Sequence, residues 1–261
     1  MRTGHWKIVN AVVFVATLAA NAAAGTGAMS GESIGVIANR YPSLFLPANY
    51  VFGIWSVIYA WQFAFVVFQA LPMAAATRAV TRLGPWWVVS NILNAVWLAT
   101  FAFSRFALAM VVMLALLAVL IVIVARLRGA PPMGWAEVAF VRWSFDLYLA
   151  WISVAVIANT FQLAHVVGFD GAGMSETTWA VTMMGVATVL GWVLGLIRGM
   201  WVFPLVVAWA LRGIGVRYAE VAPIATAAGV LVPAGIAVGV VLTAVSRRFA
   251  PRPAASGAVA P

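Results

Sequence analysis

The stretch from Arg142 to Gln162 reads RWSFDLYLAWISVAVIANTFQ. It is apolar enough to lie in a bilayer, yet Tyr148, Trp151, Asn159 and Gln162 fall on one face at helical spacing. Amide side chains are costly against lipid, so that face must look into protein or into a cavity. A membrane helix with such a face needs partner helices, and the surrounding sequence has to supply them.

Composition sets the same class. Of 261 residues, 65% are hydrophobic and 8% charged, and the mean hydropathy is +1.06. No single soluble core hides that much apolar surface. Long Ala/Val/Leu runs replace strand-like alternation, so helices rather than a barrel must satisfy the backbone. The expected fold is all-α, a polytopic membrane helix bundle embedded in the lipid bilayer. The net charge of +9 is spread singly or in pairs between apolar runs, without the basic patch of a nucleic-acid module, so no nucleic-acid partner is expected. Cysteine is absent, which excludes disulfides, thiolate metal sites and cysteine nucleophiles.

Apolar runs and turn residues predict about eight transmembrane helices: Trp6 to Gly27, Asn49 to Leu71, Pro85 to Ser104, Ala107 to Ala125, the stretch ending near His165, Thr177 to Ile197, Met200 to Ile214, and Pro223 to Val245. Residues 28–48 and 72–84 read as loops, and the tail 247–261 as disordered and cytoplasmic. The first run also has the form of a signal peptide, with Ala22-Ala23-Ala24 as its cleavage site. Counting Lys and Arg, an N-inside arrangement puts ten on the cytoplasmic side, including Arg78, Arg82, Arg126, Arg128 and Arg198, and four outside. Both termini are therefore expected in the cytoplasm.

Thirteen tryptophans divide into two groups. Trp6, Trp86, Trp87, Trp135, Trp143, Trp179 and Trp201 fall near helix ends, as an interfacial belt requires. Trp55, Trp61, Trp97, Trp151, Trp192 and Trp209 lie deeper. Three helices combine deep aromatics with deep polar groups: Trp55, Tyr59 and Gln62; Asn91, Asn94, Trp97 and Phe101; Tyr148, Trp151, Ala155, Asn159 and Gln162. Facing one another they would wall an apolar-ligand site with a few orienting amides and phenols. Amides that merely join helices are the plainer alternative.

These residues carry a resemblance. Phe45-Leu46-Pro47-Ala48-Asn49-Tyr50-Val51-Phe52-Gly53-Ile54-Trp55-Ser56-Val57-Ile58-Tyr59 resembles the hallmark of the TspO/MBR family, the tryptophan-rich sensory or translocator proteins. Leu93 to Trp97 with Phe101 and Phe103 is similar to that family's third-helix pattern, and Tyr148 to Trp151 with Ala155 and Asn159 to its fifth. The resemblance implies a five-helix core over 1–166 and a three-helix extension over 167–246, as in a longer bacterial subgroup of the inner membrane. It implies a receptor or carrier that binds porphyrin or haem, with Trp55 and Trp151 facing the ligand and Tyr59, Asn94, Trp97, Tyr148 and Asn159 around them. No cofactor is required; the tetrapyrrole would be the ligand. Light-dependent porphyrin breakdown is a further activity the resemblance implies for the two tryptophans. Ala48 and Leu147 stand where prolines are usual, which predicts a different path into those helices.

Other features compete. Asp146 and Arg142, four residues apart, suggest a helix-start ion pair or a proton site. With Pro204 in the short seventh helix, Asp146 supports the alternative of a proton-coupled secondary transporter of a small hydrophobic solute. His5 and His165 are the only histidines, and no metal cluster is expected. Gly191, Gly195 and Gly199, with Gly235 and Gly239, indicate close helix packing within the bundle, or a homodimer face. No paired carboxylates and no nucleophile with a base point to an enzyme.

Overall fold

The computed structural model describes residues 3–248, and every regular element among them is helical. The tail beyond residue 248 lies outside the described residues. In chain order the elements are α1 (Thr3–Thr26), α2 (Ile34–Arg40), and a 3-10 turn, Asn49–Gly53, that leads into α3 (Ile54–Ala70). Then come α4 (Ala74–Leu83), α5 (Trp86–Ala102) and α6 (Phe106–Arg128). A short turn, α7 (Trp135–Glu137), and a π segment, Val138–Arg142, precede α8 (Trp143–Val166). The chain continues with α9 (Glu176–Arg198), α10 (Val202–Arg217) and α11 (Ala222–Arg248).

Six segments are long and apolar enough to cross a membrane: Gly4–Thr26, Asn49–Ala70, Phe106–Arg128, Trp135–Val166, Glu176–Arg198 and Ala222–Leu242. The chain is thus a polytopic membrane helix bundle. The apolar α5 and α10 are shorter, at 17 and 16 residues. At one end of the bundle Arg217 of α10 bonds Asn39, and Glu176 of α9 bonds the backbone of Leu44. At the other, Arg128 of α6 reaches both Asp146 of α8 and the carbonyl of Arg198 at the close of α9. α8, α9 and α10 therefore alternate in direction.

Two stretches read as loops are partly helical. Ser33 caps α2 by accepting a hydrogen bond from the Val36 amide. In α4, Ala75, Ala76, Ala79, Val80 and Leu83 are buried, the one-sided spacing of an amphipathic helix lying against the bundle. Among the belt tryptophans, Trp87 is misplaced by sequence reasoning. It is 1% exposed and packs edge-on against Phe65, with ring centroids 4.9 Å apart. Pro204 sits in the first turn of α10, where a missing amide disrupts nothing, so α10 is not interrupted. Leu147 lies within an unbroken α8. The irregularity falls earlier, in the π segment, where Trp61 donates to the Ala139 carbonyl at 2.7 Å.

Small residues bring the last helices together. A Cβ on Gly191 would lie 3.3 Å from the Pro204 Cα, and one on Gly235 3.2 Å from the Ala208 Cβ. Those glycines serve packing within the bundle. Gly213 is tighter still: its Cβ would fall 2.0 Å from a methyl carbon of Val51, which is fully buried. Gly213→Ala is therefore expected to cost about 1–3 kcal/mol through overpacking. Its unfolding midpoint in detergent should fall clearly below that of Gly229→Ala, where nothing lies within 4 Å of the new methyl.

Candidate functional site

A cavity of ≈ 1090 Å³ opens between α1, α3, α5, α8 and α10, beneath α2. Eight of the residues picked from the sequence line it: Trp55, Tyr59, Trp97, Trp151 and Asn159, expected around the ligand, and Phe101, Ala155 and Gln162 from the same three faces. Helical spacing explains the meeting, because Trp55 and Tyr59 lie one turn apart on α3 and Trp151 and Asn159 two turns apart on α8. Trp55 is the hub. Its ring stacks on Tyr59 at 5.5 Å and on Trp97 at 6.4 Å, and meets Trp151 edge-on at 6.2 Å and Tyr148 edge-on at 6.0 Å.

Asn94 and Tyr148, also picked, do not line the cavity. They join its walls. Asn94 is fully buried and its amide donates to the Tyr148 hydroxyl at 3.0 Å, while its oxygen accepts from Asn21 of α1 at 3.2 Å and from the Tyr59 hydroxyl at 3.5 Å. One side chain thus ties four helices, which is how a buried amide repays its desolvation. Gln62 and Asn91 also lie off the cavity, and Asn91 bonds back to the Trp87 carbonyl.

The wall carries few polar groups. The Trp97 indole N–H donates to the Asn159 oxygen at 3.4 Å, whose own amide donates to the Ala155 carbonyl. The Trp151 indole nitrogen is buried and has no protein partner. A buried donor without an acceptor is a cost that a suitably placed ligand oxygen or nitrogen would remove. Arg40, paired with Glu32, sits at the mouth, where both side chains are about half exposed.

Sequence reasoning missed three parts of the lining. Asn21 was legible as a polar residue in an apolar run. The α2 segment and the Ala210 and Ile214 wall from α10 carry no local signal, since alanine and isoleucine in a membrane helix look the same facing a cavity or facing lipid.

The expected pairing of Asp146 with Arg142 is not formed. Asp146 pairs with Arg128, while Arg142 donates to the Ala130 carbonyl at 2.5 Å. The end of α6 lies beside the start of α8, so Arg128 reaches the carboxylate from across the interface. Neither Asp146 nor Arg128 lines the cavity. Arg78 of α4 makes the neighbouring pair with the buried Glu137. His165 is exposed and outside the lining, and among the described residues no group of three metal-ligating side chains occurs.

An all-α membrane bundle that keeps an aromatic-walled compartment among its helices belongs to the class of polytopic integral membrane proteins with an internal cavity. The particular family is given by a match over residues 7–243 to the one described as TSPO-like protein. The chain belongs to that family, and the match runs through α9, α10 and much of α11. No curated protein and no solved structure matches the chain.

Proposed function

We propose that this TspO-like protein is a membrane receptor or carrier for a flat hydrophobic ligand, a tetrapyrrole such as porphyrin or haem, held in the cavity beneath α2. We place it in a bacterial inner membrane with both termini cytoplasmic, on the ten-to-four division of basic residues. One observation carries the ligand reading: the indoles of Trp55, Trp97 and Trp151 meet around one compartment of ≈ 1090 Å³. That volume is at the upper end for a small-molecule site and suits a macrocycle better than a single ring. Flat π faces attract flat π ligands, and the unpartnered Trp151 N–H offers one orienting contact.

No histidine lines the cavity, so the ligand would be held by stacking and burial. Protoporphyrin IX is expected to quench tryptophan fluorescence saturably in the detergent-purified protein, at one ligand per chain, with haem binding at similar affinity. Linear, non-saturating quenching by both would remove the tetrapyrrole from this site.

A further inference from the structure

The segment over the cavity is held down from outside the five-helix core. Residues Ser33 to Pro47, α2 and its following turn, form the cap, and Ile34, Ala38, Phe45 and Leu46 face the cavity. Upstream the chain turns at Gly27 and Gly31, with φ of +83° and +91°, a backbone that only glycine adopts freely. Downstream it is pinned. Glu176 of α9 accepts the Leu44 amide at 2.8 Å, Arg217 of α10 donates to Asn39 at 2.7 Å, and the Tyr218 hydroxyl donates to the Ser43 carbonyl at 2.5 Å. The Ala48 amide adds a bond to the Gly213 carbonyl at 3.1 Å, a bond that proline at this position could not make. Burial raises the pKa of Tyr218 above its ordinary value, against a smaller opposing effect of Arg217. The phenol therefore stays a donor through neutral pH.

The core holds the cap through apolar contacts, among them Tyr41 edge-on to Phe106 of α6 at 4.9 Å. Phe45 stacks on Phe161 of α8 at 5.2 Å, and Gln162 reaches the Ala38 carbonyl at 3.5 Å. A cap with a glycine turn at one end and an external polar clasp at the other is built to open about the turn when the clasp loosens.

We propose that α9 and α10 are the gatekeepers of the cavity: Glu176, Arg217 and Tyr218 position the cap and set how fast the compartment exchanges its contents. The role in ligand exchange rests on the binding function proposed above; the opening of the cap does not. It gives the C-terminal helices a task that the aromatic wall by itself leaves unassigned.

The absence of cysteine makes a direct test available. A single cysteine at Ala158, on the cavity wall, reports access through its rate of reaction with a water-soluble maleimide, with no ligand present. On that background Glu176→Ala with Arg217→Ala and Tyr218→Phe is expected to speed labelling about tenfold or more, since three hydrogen bonds of ordinary net strength are lost. Tyr218→Phe alone, which keeps the ring and removes one hydroxyl, should give about a threefold rise, and it decides the matter if the triple variant does not fold. Protoporphyrin should dissociate faster in the same variants. Labelling within about 1.5-fold of the parent in every folded variant would overturn the clasp, whether or not porphyrin binds. Faster labelling in a protein that takes up no porphyrin would uphold the clasp and reject the ligand.

Discussion

Replacing Trp55 and Trp151 together by leucine is expected to weaken protoporphyrin binding about 100-fold, equivalent to about 3 kcal/mol. Leucine keeps an apolar side chain at both positions, so the loss isolates the flat π surfaces. Stacked or edge-on aromatic contacts contribute about 0.5–1.5 kcal/mol each beyond area burial, and two indoles are removed. Trp55 carries the larger share, because its ring touches Tyr59, Trp97, Tyr148 and Trp151. Phenylalanine at the same positions separates two contributions. Trp55→Phe should cost little, whereas Trp151→Phe also deletes the unpartnered indole N–H. If the ligand accepts from that N–H, Trp151→Phe costs about tenfold through one lost hydrogen bond. Titration by fluorescence quenching, with Trp97 and the other tryptophans as reporters, measures all three variants. An affinity within threefold of the parent in the double leucine variant would show that the ligand sits elsewhere.

The bundle was legible because hydropathy and turn residues are local signals. Predicted and observed elements differ by a few residues at most, as for 177–197 against Glu176–Arg198 and 200–214 against Val202–Arg217. The aromatic wall was legible for a related reason: tryptophan and amide side chains at helical spacing stand out in an apolar background. Two short helices escaped. In α2 seven residues are too few for a periodic pattern, and α4 buries alanines, which mark a face only weakly.

Long-range pairings were not legible at all. Asp146 has one basic neighbour four residues back, yet it bonds Arg128, 18 residues away in sequence and across a helix interface. The clasp on the cap joins residues 132 to 178 positions apart. In a membrane helix the apolar residues do not reveal which side faces lipid, because lipid and protein interior are alike in polarity. Ala210 and Ile214 therefore gave no hint of the cavity they line. Ala48 is the instructive intermediate. Its departure from the usual proline was visible, but the hydrogen bond its amide makes to Gly213 was not.

Arg128→Met is expected to cost about 3–5 kcal/mol of stability, the effect of removing one partner from a buried ion pair. The Asp146 side chain is 2% exposed and that of Arg128 21%, so the carboxylate would be left in a site that water scarcely reaches. An exposed pair would cost about 1 kcal/mol or less, so magnitude alone distinguishes the two situations. Arg128 also donates to the Arg198 carbonyl, and its loss frees the end of α9 from α6 and α8 as well. Arg142 makes no hydrogen bond to Asp146; one of its guanidinium nitrogens donates to the Ala130 carbonyl. Pairing Arg128→Met with Asp146→Leu removes the stranded charge and should recover most of the loss, because a junction without charges needs no compensation. Thermal unfolding in detergent of the two single variants and the double variant gives the coupling energy. The same proteins discriminate between a structural pair and a transport site. Both residues lie outside the cavity lining, so the double variant should bind protoporphyrin within about threefold of the parent affinity, a shift of less than 0.7 kcal/mol. In proteoliposomes, solute uptake driven by a proton gradient in the parent and abolished in the equally stable double variant would instead make Asp146 a coupling residue.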